Sequence, residues 1–271
     1  MPELPEVETT RRGLEPHVTG RRIRAIAIYD PRLRWPVPLD LSNLLAGRTI
    51  DRIDRRSKYL LFRIGEGTLL VHLGMTGSLR VLRQDMARRT HDHIDIVLES
   101  GITLRYHDPR RFGAMLWIAG ASDAHPLLAR LGPEPFDAAF DAHYLWRAVR
   151  GRSAAVKLAL MDARVVVGVG NIYANESLFR AGIRPAAAVN RISKARLARL
   201  VDAVRATLSD AIAKGGSTLR DYVDSDGRDG QFQLQLFVYG REGERCRVCG
   251  ATIRGIRQGG RASAYCPRCQ R

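Results

Sequence analysis

The chain has 271 residues, with 44 Lys and Arg against 28 Asp and Glu, a formal charge of +16 and a pI near 10.6. Such a field calls for a polyanionic partner. It contains no apolar run of about 18 residues and no signal-peptide pattern, so the expectation is a cytoplasmic protein without a membrane partner, of two domains and a small appended module.

Only Lys58, Lys157, Lys194 and Lys214 are lysines among the 44 basic residues, an arginine bias that fits a GC-rich bacterial genome. A position that stays lysine under that bias is a candidate for a compact ammonium able to release a proton.

The chain opens MPELPEVE. Removal of Met1 before a small second residue leaves Pro2 with a secondary amine. An α-amino group has a pKa of roughly 8, so part of it is neutral and nucleophilic at pH 7, where a lysine is almost wholly protonated. Attack of a secondary amine on a sugar C1′ yields an iminium that has no N–H to lose and acidifies the neighbouring C2′–H. Glu3 stands beside it to move protons. Pro5 suits the first helical turn and Glu6 and Glu8 suit the positive end of a helix dipole, with Leu4, Val7 and Leu14 on one buried side. The same eight residues also read as an ordinary helix start on a chain beginning Met-Pro.

From Arg22 to Ile118 the pattern is mostly strands. Ile94, Ile96 and Leu98 alternate with Asp95, Val97 and Glu99. Short strands at Tyr59–Ile64, Thr68–Leu73, Ser78–Leu82, Ile102–His107 and Ala114–Ile118, with no helices between them, predict antiparallel sheets packed as a sandwich. Within this region Lys58, His91, Arg110, Met75 and Phe112 each have a plain reading. Lys58 and His91 are surface residues, Arg110 or Arg111 pairs with Asp108, and Met75 and Phe112 belong to the core.

The texture changes at Gly132-Pro133-Glu134-Pro135, which serves as the domain boundary. The stretch LMDARVVVGVGNIYANESLF, residues 160–179, places a Gly-x-Gly-Asn turn between two helical segments. Asn171 then opens the second helix, offering its side chain and free N–H groups to a phosphate. A long helix follows from Ser193 to Lys214, with Leu197, Leu200, Val201, Val204, Leu208 and Ile212 as its core stripe, Ser193 as cap and Gly215 as stop. Residues 215–230 are polar and glycine-rich and read as a mobile loop.

Cys246-x2-Cys249 and Cys266-x2-Cys269 have the spacing of a four-thiolate zinc site, one structural ion per chain with no open position for a catalytic water. Two disulfides are the alternative, which a reducing cytoplasm disfavours. Arg254, Arg257 and Arg261 lie between the pairs, so the metal pins a basic hairpin.

Taken together, MPELPEVETTRRGLEP, RRSKYLLF, HLGMTGSL, THDHIDIV, YHDPRRFG, the 160–179 stretch and GGRASAYC resemble the formamidopyrimidine-DNA glycosylase family over essentially the whole chain. The resemblance implies an α+β protein: an N-terminal helix and antiparallel β-sandwich catalytic domain over 2–118, a helix-two-turn-helix domain over 133–225 and a zinc finger over 237–271. It implies a monomer that acts on damaged double-stranded DNA in the bacterial cytoplasm, at the nucleoid. The activity implied is excision of 8-oxoguanine and formamidopyrimidines, followed by β- and δ-elimination at the abasic site. Pro2 is then the nucleophile, Glu3 the proton donor for sugar opening, and Lys58 and Arg261 the supporting proton donors. His91, Arg110, Arg152, Lys157 and Asn171 match family DNA contacts. Met75, Arg110 and Phe112 match residues that fill the gap left by an extruded nucleotide and offset part of its lost stacking. A lesion-covering loop corresponds to Ser217–Gln235. An endonuclease VIII-like enzyme for oxidised pyrimidines is the nearest rival, although PELPEVE in place of PEGPE, with Met75 and Phe112, favours the purine branch. A zinc-ribbon protein that binds nucleic acid without catalysis is the rival from another class.

Overall fold

The computed structural model describes residues 2–83, 86–216 and 236–271. The expected lesion-covering loop, and most of the glycine-rich 215–230 stretch, lie outside the described residues. Two compact units divide the chain, Met1–Ala129 with Lys214–Gln231, and Arg130–Ala213 with Phe232–Arg271.

In the first unit α1 (Leu4–Val18) leads into β1 (Arg21–Ile28), and a short α2 (Leu41–Leu45) precedes β2 (Thr49–Ile50). The chain then runs through β3 (Arg52–Arg56), β4 (Tyr59–Ile64), β5 (Gly67–His72), β6 (Ser78–Leu82), β7 (Asp92–Leu98), β8 (Thr103–His107) and β9 (Ala114–Ile118). They form two sheets, ordered β2-β1-β7-β8-β6 and β3-β4-β5-β9, with antiparallel neighbours throughout. Short connections without helices leave only this pairing available to the later strands.

The sandwich closes because one side of each sheet is apolar. Ile23, Ile26, Ile94, Ile96, Leu104 and Tyr106 from one sheet share a core with Ile53, Leu60, Phe62, Leu69, Val71 and Met115 from the other, and Val7, Leu14 and Val18 of α1 join it. Each such side chain contributes roughly 1.5–3 kcal/mol by leaving water. Asp95 lies on the face of β7 opposite Ile94 and Ile96, yet it too is buried. The cause lies across the sheet: Asp95 is in register with Arg105, whose Nε and Nη2 donate to its two carboxylate oxygens at 2.8 Å each. Arg105 also donates to the Met86 carbonyl oxygen at 2.8 Å, so the β6–β7 connection covers the pair.

The second unit holds α3 (Ala142–Val149), α4 (Val156–Leu160), α5 (Asn171–Arg180), α6 (Lys194–Ala213) and the hairpin β10 (Arg254–Gln258)–β11 (Arg261–Tyr265). The α6 stripe is Leu197, Leu200, Val201, Val204 and Leu208, continued by Ala211. Ile212, expected in that stripe, is only half-buried because the step of three from Leu208 reaches Ala211 first. Gly215 follows at φ +73°, the left-handed conformation that glycine adopts without cost.

The finger and the helices belong to the same unit. The Asn175 side-chain oxygen accepts the Ala264 N–H at 2.9 Å. The buried Glu176 carboxyl accepts the N–H groups of Phe237, Val238 and Tyr239 at 2.8, 3.0 and 2.8 Å. Among the described residues no helix is long and apolar enough to cross a membrane.

Candidate active site

Pro2 and Glu3 are buried at the start of α1. The Glu3 backbone N–H donates to Glu6 Oε2 at 2.8 Å, and the Glu3 side chain accepts the Glu6 N–H in return. This reciprocal capping box satisfies two helix-end donors at once and fixes the residue beside Pro2. Glu6 is thus a capping partner as well as an acidic residue at the positive end of the helix dipole. Its Glu-x-x-Glu spacing from Glu3 was the available signal.

The same helix holds the turn that carries Lys58. Glu8 pairs with Arg11, Arg12 and Arg55 at 3.1, 2.8 and 3.1 Å, and Arg55 also donates to the Ser57 carbonyl oxygen at 3.0 Å. Burial alone raises the Glu8 pKa, but hydrogen bonds from Arg11 and Arg12, with the charges of Arg11 and Arg55, outweigh it and lower the carboxyl overall. The β3–β4 turn is thereby tied to α1. His72, at the end of β5, is a neighbour that sequence reasoning missed. Burial first, then the charges of Lys58 and Arg34, push its pKa down to about 4, so it is neutral at pH 7. Its Nδ1 accepts the Gly74 N–H at 3.0 Å, which leaves the proton on Nε2.

Met75 and Phe112 are 37% and 43% exposed, so neither belongs to the core that their apolar side chains suggest. The Arg110 guanidinium lies over the Phe112 ring, 4.7 Å from its centroid. Arg111 pairs with Asp30 at 2.8 Å. Asp108, the partner that the sequence offered to either arginine, instead places its carboxyl on the Thr76 hydroxyl and the Gly113 N–H at 2.7 and 2.9 Å. His91 is exposed, its ring 6.2 Å from that of His93 and 6.1 Å from that of His107.

Backbone strain collects on these loops. Among the described residues the non-glycines with positive φ are Ser57, His91 and Arg111, at 56°, 74° and 56°. Ser57 precedes Lys58, and Arg111 separates Arg110 from Phe112. Each costs about 1 kcal/mol or more, and such strain concentrates where a site dictates the conformation.

In the second unit Asn171 opens α5 after Gly170, and its Oδ1 is buried with no hydrogen-bond partner among the described residues. Arg152 pairs with Asp162 at 2.8 Å. Lys157 is fully buried, its Nζ donating to the Ala262 carbonyl oxygen and the Ser263 hydroxyl at 2.7 and 2.6 Å. Arg261 is exposed at the first position of β11, beside the Gly259-Gly260 turn.

The four cysteine sulfurs lie within 4.8 Å of one another. Cys249–Cys266 and Cys246–Cys269 are 3.4 and 3.9 Å apart. A disulfide needs about 2.05 Å, whereas four thiolates about 2.3 Å from a tetrahedral zinc stand about 3.8 Å apart. The donor set fits zinc. The thiols titrate apart: the Ala251 N–H brings Cys249 down to about 7, whereas burial and the neighbouring sulfurs push Cys266 and Cys269 up.

Residues 1–115 match the sequence profile of the formamidopyrimidine-DNA glycosylase N-terminal domain, residues 131–223 that of the formamidopyrimidine-DNA glycosylase H2TH domain, and residues 243–271 that of the zinc finger found in FPG and IleRS. The formamidopyrimidine-DNA glycosylase of Thioalkalivibrio sulfidiphilus is 58% identical over 271 residues, covering 100% of both chains. The crystal structure of MutM (Fpg) from Thermus thermophilus is 42% identical with a TM-score of 0.89, over 99% of this chain and 98% of that one. Lactococcus lactis Fpg, solved with DNA containing an abasic site and with DNA containing Fapy-dG, is 36% identical with a TM-score of 0.90 in both complexes. Those matches cover 99% of this chain and 99% and 100% of the other.

Proposed function

The chain belongs to the formamidopyrimidine-DNA glycosylase family, and from that premise we propose which of its residues perform the chemistry. It is a DNA glycosylase and abasic-site lyase of base excision repair, acts on damaged double-stranded DNA and carries one structural zinc.

With Met1 removed, the Pro2 nitrogen attacks C1′ of an extruded 8-oxoguanine or ring-opened purine nucleotide. Glu3 gives a proton to the ring oxygen, the sugar opens, and the glycosidic bond breaks as the base leaves. The resulting iminium withdraws electrons from C2′. Loss of the C2′ proton expels the 3′-phosphate, a second elimination expels the 5′-phosphate, and hydrolysis frees the amine. Lys58 supplies a proton in the first elimination and Arg261 assists the second. His91, Arg110, Arg152 and Asn171 serve DNA binding, and Met75, Arg110 and Phe112 occupy the gap left by the extruded nucleotide. Lys157, expected among the DNA contacts, is fully buried with its ammonium on the finger hairpin, so it serves binding only by holding that hairpin in place. The zinc, held by Cys246, Cys249, Cys266 and Cys269, keeps the hairpin of Arg261 folded.

The observation that carries this reading is the buried capping box, which holds Glu3 still beside Pro2. The strain at Ser57, His91 and Arg111 supports the DNA-contact assignments. Oxidised purines are favoured over pyrimidines because the matched profiles and the named relatives are of the formamidopyrimidine type. The bacterial relatives support a cytoplasmic enzyme, and a monomer acting at the nucleoid is the reading that goes with a DNA substrate.

Borohydride reduction during turnover of an 8-oxoguanine duplex tests the mechanism. It should yield a covalent complex whose DNA maps to residue 2. A complex that maps to a lysine would reject the Pro2 assignment and leave the glycosylase activity standing.

A further inference from the structure

Three residues assigned above to the gap in the DNA stand on two loops, Met75 between β5 and β6, and Arg110 and Phe112 between β8 and β9. Asp108, which the mechanism does not use, lies between these loops with no exposed surface. Its Oδ1 accepts the Thr76 hydroxyl at 2.7 Å and its Oδ2 the Gly113 N–H at 2.9 Å. The Thr76 oxygen in turn accepts the Arg110 N–H at 3.3 Å. The backbone of Asp108 extends the network. Its N–H donates to the His91 carbonyl oxygen at 3.1 Å, and its own carbonyl oxygen bonds His93 Nε2 at 2.9 Å and the Arg111 N–H at 3.2 Å.

The loops touch backbone to backbone. A Cβ at Gly74 would lie 2.5 Å from the Gly113 nitrogen and 2.6 Å from the Phe112 carbonyl carbon, and one at Gly113 would collide with the Tyr106 hydroxyl. That hydroxyl is itself occupied, donating to the His72 carbonyl oxygen at 3.0 Å. The spacing of the two loops therefore admits no side chain at Gly74 or Gly113, and the Asp108 carboxyl, on the second loop, bonds across it to Thr76.

We propose that Asp108, acting through Thr76, is the positioning residue that makes Met75, Arg110 and Phe112 a single rigid insert, and so governs extrusion of the damaged nucleotide. The inference rests on the reading above that these three side chains enter the gap. Opening a base step costs a few kcal/mol. Apolar groups offset that cost only if they arrive already ordered, since side chains that must be immobilised on binding forfeit part of the gain.

The test compares excision of 8-oxoguanine from a fully paired duplex with excision from the same duplex carrying a gap opposite the lesion, where extrusion costs less. Single-turnover rates separate this step from product release. Fluorescence of 2-aminopurine beside the lesion reports unstacking directly. Asp108→Ala strands the Gly113 N–H and the Thr76 hydroxyl and should slow the paired substrate about tenfold or more, slow the gapped one less than about threefold, and delay the fluorescence rise in parallel. Thr76→Val keeps Asp108 and the shape of the loop, so it carries the test if Asp108→Ala does not fold. It should show the same split, and Thr76→Ser should restore the wild-type rates. Equal losses on both substrates, or no loss on the paired one, would overturn the inference while wild-type excision keeps the proposed function intact. A wild-type chain that excises nothing from either duplex would overturn the proposed function and this inference with it.

Discussion

Lys157 is joined to the residue that follows Arg261: its Nζ donates to the Ala262 carbonyl oxygen at 2.7 Å. An ammonium removed from water is costly unless its protons find acceptors, and the Ser263 hydroxyl supplies another at 2.6 Å. The bond fixes α4 to the strand that Arg261 begins. Lys157→Met should accordingly act on Arg261, shifting products from β,δ- towards β-elimination on a sequencing gel. Leaving those acceptors unpaired should also lower stability by about 1–3 kcal/mol in a denaturant titration.

Chelation of zinc, or Cys249→Ser, should abolish duplex binding and leave the β-sandwich folded. The finger has a small core of Val238, Ile253 and Ala264 with Cys246 and Cys266, too little to replace the metal-thiolate bonds. Metal analysis should return one zinc per chain. Active protein without zinc would contradict the expectation.

A chain that retains Met1, or bears an N-terminal tag, should form no borohydride-trapped complex, because an amide nitrogen has no basic lone pair. Glu3→Gln should reduce base excision by two or more orders of magnitude, within the range of general acid–base catalysis. It should spare cutting of a pre-formed abasic site, which has already lost its base. Loss of both activities together would move Glu3 from proton transfer to structure.

Binding to undamaged duplex should fall steeply with salt as arginines displace counterions from phosphates. Arg261→Ala should reduce the slope of log K against log salt by about 1. An unchanged slope would remove Arg261 from the phosphate contacts.

His72 predicts a pH dependence of stability. Its folded-state pKa, held down by burial and the charges of Lys58 and Arg34, is about 4 against an ordinary 6.5. The unfolded chain therefore takes up the proton first as pH falls. The stabilisation is complete above pH 6.5 and is lost as pH falls towards 4, by about 3 kcal/mol. His72→Asn keeps an acceptor for the Gly74 N–H and cannot titrate, so its denaturation midpoint should change less across that interval. Parallel pH curves for the two proteins would refute the assignment.

Strands and metal ligands were legible because their patterns are local. Alternation and turn residues placed Tyr59–Ile64, Ser78–Leu82 and Ala114–Ile118 where the strands occur, and paired Cys-x2-Cys spacings placed the four sulfurs together. What escaped depends on residues that meet only in the folded chain. Asp108 reaches Thr76 across 32 positions and Lys157 reaches Ala262 across 105. No period in the sequence encodes either meeting. The cover of Asp95 is equally non-local: it depends on an arginine of the neighbouring strand and a loop folded over both.

The left-handed residues Ser57, His91 and Arg111 have a consequence for engineering. Glycine relaxes such a conformation by roughly 0.5–1 kcal/mol, so Ser57→Gly and His91→Gly are routes to a hardier protein, and Arg111→Gly gains as much in the backbone while losing the pair with Asp30. All three lie beside or within the loops proposed above to handle DNA. A directed-evolution campaign scored on heat resistance alone would accumulate glycines there first, and would deliver a robust protein that repairs poorly.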